Sequence, residues 1–208
     1  KNLSAEGSWP ELSYDYSGGF ATDSVNRHLY RLFDLAVAYH FDGAHRGNPE
    51  LLKAIHRSLG FWLEKDFQFE NWWNNEIGTP SVLARVALIL GDELDFEQKE
   101  KLLPILRRAY NKMTGQNLLW INKIIIIRGL IEGNPSLVSK GLNAISDEIQ
   151  ITLDEGIQPD FSFHQHGSQL YNHGYGAGFI IDASELVACT AGTSFQMPQE
   201  KVDILLDF

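Results

Sequence analysis

Positive charge and sulfur are what this chain has least of. Its 208 residues carry 17 lysines and arginines against 27 aspartates and glutamates, a net charge of −10. Non-specific nucleic-acid binding needs a basic surface, so the balance argues against nucleic acid as a partner. An anionic polymer would also be repelled unless basic groups gather locally. One cysteine, Cys189, rules out an internal disulfide. No apolar run approaches the roughly 18 residues that cross a bilayer; the purest, Ile124 to Ile127, is bracketed by Lys123 and Arg128. The chain opens on Lys1-Asn2-Leu3 without initiator methionine or signal peptide and closes on an uncapped amphipathic stretch, so both ends are expected to be cut from something longer. No Pro- or Ser-rich linker divides it, and with 44% hydrophobic residues it is expected to form one domain with its own core, residues 1–208.

What is present reads as helix after helix, with no convincing alternating strand. Val25, Leu29, Leu32, Ala36 and Tyr39 recur at helical spacing, as do Leu51, Ile55, Leu59 and Trp62, then Val82, Val86 and Ile89. Leu102, Leu106, Ala109 and Met113 form a further set, and so do Leu142, Ile145, Ile149 and Leu153. Stretches 118–131 and 177–190 are apolar enough to be inner helices. Asn48-Pro49, Thr79-Pro80 and Asn134-Pro135 each place a capping residue before a proline at the first helical position. Asp95 with Gln98 three residues later has the form of a capping box. The expected fold class is all-α, about eight helices joined as hairpins. Stacked hairpins give an open solenoid or a closed α/α toroid, and periodicity does not choose between them.

Three segments carry candidate chemistry. "FQFENWWNNEIGTP", Phe67 to Pro80, sets four large aromatics among three asparagines and two glutamates. A lone tryptophan more often fills core. Two adjacent ones on a loop rarely both face inward, and an aromatic face beside amides suits a sugar ring, stacking on its C–H face while the amides bond its hydroxyls. "TGQNLLW", Thr114 to Trp120, places Asn117 after a glycine and before an inner helix. Capping is its ordinary job; the functional alternative is a neutral donor aimed at a carboxylate or developing oxyanion.

The third segment, "PDFSFHQHGSQLYNHGYG" from Pro159 to Gly176, holds three histidines and two tyrosines but no lysine or arginine. Loops of this length usually do chemistry or bind something. His164 and His166 are two apart with His173 seven further on, near Asp160, without the i, i+4 spacing or cysteine partners usual at zinc sites, so no metal or other cofactor is expected. Ser162 and Ser168 lack the Gly-x-Ser-x-Gly context of a serine nucleophile. His with Tyr as acid–base groups is what remains. A tyrosine, with a pKa ordinarily about 10, becomes a base only where a neighbour stabilises its phenolate.

Taken in order, Asn71-Trp72-Trp73 with Glu76-Ile77-Gly78-Thr79-Pro80, Thr114-Gly115-Gln116-Asn117, and Ser162-Phe163-x-x-His166 with Tyr175-Gly176 resemble the polysaccharide lyase family 8 enzymes, the hyaluronate, chondroitin AC and xanthan lyases. The resemblance implies an α/α toroid, here as an incomplete barrel, followed by β-sandwich domains that this chain lacks. It implies a secreted or periplasmic enzyme that cleaves acidic polysaccharide at a uronic acid by β-elimination, without cofactor. By the match, Asn117 would neutralise the carboxylate, His166 assist, and Tyr175 transfer the proton. Trp72 and Trp73, with Asn71 and Glu76, would seat the polymer, and His173 could touch it. His164 and Tyr171 match no catalytic position. The family pattern also includes a downstream arginine and a glutamate in the β region; nothing after Tyr175 is an arginine, so both are expected beyond Phe208.

Two other readings compete. An α/α-barrel glycoside hydrolase would need paired carboxylates, for which Glu70, Glu76 and Asp160 are candidates. A non-catalytic carbohydrate-binding helical module would keep the tryptophans and lose the chemistry. Neither explains Asn117, His166 and Tyr175 together.

Overall fold

A computed structural model describes residues 2–15, 23–110 and 112–208. The described residues form eight α-helices, and the chain divides into two compact halves, Lys1–Ala109 and Tyr110–Phe208. In the first half, α1 (Asp23–His40) packs on α2 (Pro49–Lys65) and α3 (Thr79–Leu90), while α4 (Phe96–Leu106) lies against α2 and α3. The helical-period residues Val25, Leu29, Leu32, Ile55, Leu59, Trp62 and Val86 are buried, as the spacing predicts. Asn48 caps α2, its side chain accepting from the N–H groups of Glu50 and Leu51. Asp95 caps α4 by accepting from Gln98 N–H at 2.7 Å. The capping box is only half formed, because the Gln98 side chain turns to His56, donating to its carbonyl at 2.8 Å.

Thr79 is not a cap. The chain is already helical from Trp72, passes through a π-helical turn, Asn74–Gly78, and enters α3 without a break, with Thr79 N–H bonded to the Asn74 carbonyl. An α-helix would press the Pro80 ring against the carbonyl four residues earlier; the extra residue in the π-turn falls at that place. The 102–113 period also overreaches. α4 ends at Leu106 in tighter turns, Arg108 N–H reaching the Ile105 carbonyl and Ala109 N–H that of Leu106. Ala109 is buried, whereas Met113 packs against the core of the second half, so one apparent period joins residues of two cores.

The second half contains α5 (Gly115–Glu132), α6 (Pro135–Glu148), α7 (Ala177–Thr190) and α8 (Gln199–Asp207). α5 and α6 form a close hairpin, with Asn134 accepting from Leu137 N–H at the start of α6. Their approach depends on glycine: a Cβ on Gly141 would lie 2.7 Å from Ile126 Cγ1 and 3.0 Å from the Asn122 carbonyl oxygen. α5 is buried on most sides through Leu118, Leu119, Ile121, Ile124 and Ile125. Ile145 and Ile149 join this core, but Leu153 lies past the end of α6 and is exposed. The segment between α6 and α7 contains a two-stranded antiparallel sheet, β1 (Gly156–Ile157) with β2 (Phe163–His164), which helical periodicity does not reveal. Among the described residues no helix is long and apolar enough to cross a membrane.

The helix contacts separate two glycine substitutions that helix propensity alone would treat alike. Gly60 in α2 has only the Gln98 amide nitrogen within reach of an added Cβ, at 3.8 Å, so Gly60→Ala should stabilise by about 0.5–1 kcal/mol. Gly141→Ala should instead lower stability by about 1–2 kcal/mol, since overpacking outweighs the propensity gain. Thermal melts of the two variants check the opposite signs.

Candidate active site

The chemistry-bearing residues of the second half come from the first turn of α5, the 155–171 segment and the π-helical turn Asn172–Gly176 that leads into α7. Around β2 the side chains alternate: Phe163 and Gln165 are buried, His166 is exposed and His164 half-exposed. Phe163 packs on Phe179 and Phe208, and its backbone is held by Tyr171 N–H at 2.7 Å and Asn172 Oδ1 at 2.6 Å. Gln165 reaches the start of α5, its Oε1 accepting from Gln116 N–H at 3.0 Å. Gly115 makes room for it, having φ +57° and space so limited that a Cβ would sit 2.3 Å from Gln165 Oε1. The inward residues thus fasten the segment and leave His166 facing out.

His166 Nε2 lies 3.0 Å from the Tyr175 hydroxyl, and the rings meet edge to face at 5.1 Å. Tyr171 joins them, edge-on to Tyr175 at 5.1 Å and to His166 at 5.9 Å. Trp120, one turn beyond Asn117 on α5, is tilted against Tyr175 at 6.0 Å. Burial, with Tyr171 and the Glu155 charge adding to it, pushes the Tyr175 hydroxyl above its ordinary pKa. With Nε2 unprotonated, the phenol donates to His166, the acceptor that would take its proton. The sequence singled out His166 and Tyr175 but left Tyr171 aside; the kinked turn between Tyr171 and Tyr175 brings it to the same cluster.

Asn117 is the third residue of α5, not its cap, a position Thr114 occupies. It is 6% exposed, and its Oδ1 has no hydrogen-bond partner among the described residues. A buried side-chain oxygen left unpaired by the fold is the kind of group that binding sites hold in reserve. The adjacent Gln116 likewise has a buried Oε1 without a partner among the described residues, but its Nε2 is engaged, donating to Asp182 on α7 at 2.5 Å. His173 is exposed within the kinked π-turn, away from any described hydrogen bond. Asp160 accepts from the Ser162 hydroxyl and N–H, which hold its carboxyl below the usual range. A hydrolase's general acid needs the opposite shift.

In the first half, the aromatic segment divides by exposure. Phe67 and Phe69 are buried, Phe67 against Trp62 and Tyr14, whereas Trp72 is 44% exposed and Trp73 half-exposed. The tryptophans lie on a helical turn rather than a loop. Asn71 Oδ1 caps that turn by accepting from Trp73 N–H at 3.0 Å. Asn75 clamps the preceding chain, bonding both the N–H and the carbonyl of Phe69. Gly78 lets the Trp73 ring pack close, at 2.8 Å from a would-be Cβ. Glu76 is half-buried on the same turn.

The sequence matches the profile of polysaccharide lyase family 8, N terminal alpha-helical domain, over residues 1–208. The chain belongs to polysaccharide lyase family 8. It is similar to a chondroitinase-AC of Pedobacter heparinus, 29% identical over 97% of this chain and 30% of that protein. Similarity to a hyaluronate lyase of Thermasporomyces composti is 27% identity over 96% of this chain and 26% of that protein. A solved chondroitinase AC lyase shares the fold with a TM-score of 0.91 at 30% identity, over 99% of this chain and 31% of that one. The chain thus spans less than a third of the length of these family 8 relatives.

Two carboxylates near the start of α5 in this family 8 chain drew no attention from the sequence. Glu155 accepts from the Thr114 hydroxyl at 2.6 Å and from Gly167 N–H at 2.8 Å. Glu148 accepts from Gly115 N–H. Burial, with the Glu155 charge adding to it and the Gly115 bond opposing it, raises the Glu148 carboxyl from 4.5 to about 7. The folded state therefore keeps this proton while the unfolded chain has lost it, so its contribution to stability is full below pH 4.5 and is lost as pH rises to about 7. Glu148→Gln removes that loss. Its melting temperature relative to the wild-type chain should increase between pH 4.5 and 8; a difference that stays flat over this range would contradict the assignment.

Proposed function

We propose that this chain is the α-helical part of a longer, secreted or periplasmic lyase that cleaves uronate-containing acidic polysaccharide of the chondroitin or hyaluronan type by β-elimination. The observation that carries the reading is the His166–Tyr175 contact at 3.0 Å, on a segment held to the helix that bears Asn117. The similar proteins are named as chondroitinase, hyaluronate lyase and xanthan lyase. Asp160, held ionised, is unsuited to a hydrolase's general acid, and the similar proteins are named as lyases.

The C5 proton of a uronate is α to a carboxylate and too weakly acidic to leave unaided. Asn117 would hydrogen-bond that carboxylate and stabilise the enolate-like intermediate. The raised pKa of Tyr175 keeps it a phenol until His166 Nε2 takes its proton. The phenolate then removes the C5 proton, the C4–O4 bond breaks, and C4=C5 forms. Tyr175 returns its new proton to the departing O4, one residue acting as base and then acid. On glucuronate both groups lie on one face of the ring, within reach of a single side chain. Trp72 and Trp73 would stack on sugar rings, with Asn71 and Glu76 bonding hydroxyls, and His173 is exposed enough to touch polymer.

Incubation of the full-length protein with a panel of uronate polymers should yield 4,5-unsaturated ends that absorb in the ultraviolet. Tyr175→Phe should abolish their formation while leaving polymer binding nearly intact; activity within a few fold of wild type would remove Tyr175 from the chemistry. In the same assay Trp72→Ala should raise KM and leave kcat, since stacking binds ground and transition states alike. A lower kcat at unchanged KM would overturn the stacking role.

A further inference from the structure

Resting on the lyase reading, we propose that Glu155 is the positioning residue that sets the His166 imidazole on the Tyr175 hydroxyl. His166 has φ +58° and Gly167 φ +75°, two consecutive residues in the left-handed region. A non-glycine side chain is uncommon there and persists only where its surroundings hold it. Successive backbone N–H groups near such residues form a concavity suited to an anion. Glu155 fills this place: its Oε1 accepts from Gly167 N–H at 2.8 Å, and the His166 N–H faces the same carboxylate.

The other oxygen of Glu155 fixes where that turn sits. Oε2 accepts from the Thr114 hydroxyl at 2.6 Å, at the cap of α5, and from the Gln165 amide nitrogen. Gln165 in turn holds Gln116 N–H, the residue before Asn117. One half-buried carboxylate therefore joins the backbone of His166 to the helix end that carries Asn117. Burial disfavours its charge, but the bonds from Thr114 and Gly167 and the nearness of His166 outweigh that and keep it ionised. Glu155 does not touch the Tyr175 hydroxyl in any described hydrogen bond; its charge helps to raise that hydroxyl's pKa, and its positioning effect, which the ring contacts and the Gly167 exchange read separately from the charge, would pass through His166.

Two measurements on Glu155→Gln, which keeps the shape and removes the charge, test this. In the full-length lyase acting on chondroitin sulfate, kcat should fall about tenfold or more with KM within about twofold, because misplacement of a reacting group slows chemistry more than binding. Glu155→Asp should recover part of the loss. In the 208-residue chain, NMR should show loss of the nuclear Overhauser contacts between the His166 and Tyr175 rings and faster amide exchange at Gly167. Unchanged ring contacts and Gly167 exchange in a folded variant would overturn the proposal, as would a raised KM with unchanged kcat. If the wild-type lyase forms no unsaturated product, the functional reading fails while the NMR comparison still decides the positioning claim. Should Glu155→Gln not fold, Thr114→Val removes one of the carboxylate's donors and should give a smaller change of the same kind; no change in kcat or in the ring contacts would count against Glu155.

Discussion

The second half of the molecule turns on one hydrogen bond, from Gln116 N–H to the Gln165 side chain at 3.0 Å. A helix begins with N–H groups that have no partner of their own, and α5 gives two of these to side chains from elsewhere in the chain: Gln116 to Gln165, and Gly115 to Glu148. The exchange brings a long polar segment against a buried helix end. Gly115 is required on both counts, for its positive φ and for the absence of a Cβ where Gln165 enters. Asn117, two residues on, is left buried with an unengaged oxygen, and His166, next to Gln165, is left exposed beside Tyr175. Packing of the inward residues thus determines which side chains remain for chemistry.

Much of this was legible in the sequence, for definite reasons. Helical periodicity placed the buried faces of α1, α2 and α6, continuous apolarity marked α5 as an inner helix, and Asn-Pro starts placed two caps, because these signals depend on near neighbours in the chain. The local rule failed where a tertiary feature intervened. Thr79-Pro80 has the form of a helix start, but a π-turn carries the helix through it. Leu153 continues a period whose helix has already ended. The alternation of Phe163, His164, Gln165 and His166 was available as a strand signal, yet the strand is only two residues long and too short to stand out. Glu155, Glu148 and Tyr171 carry no motif; only the fold gathers them near His166 or the start of α5.

The aromatic segment of the first half shows the same division of labour. Phe67 and Phe69 supply core, and Asn75 ties the chain beside them, so that the turn bearing Trp72 and Trp73 is fixed at the surface. The π-turn that follows inserts one residue into an otherwise α-helical run, a device frequent at functional sites. On the proposed reading, the rings exposed on this turn would stack on sugars of the polymer.

The central claim is that His166 and Tyr175 act as one proton-transfer unit, and a double-mutant cycle on formation of unsaturated product by the full-length protein tests it most directly. Groups that act together are far from additive in their effects on rate. His166→Ala and Tyr175→Phe combined should therefore retain the same residual rate as the more damaged single variant. A combined loss equal to the product of the two single losses would show that the residues act independently, and would contradict the account.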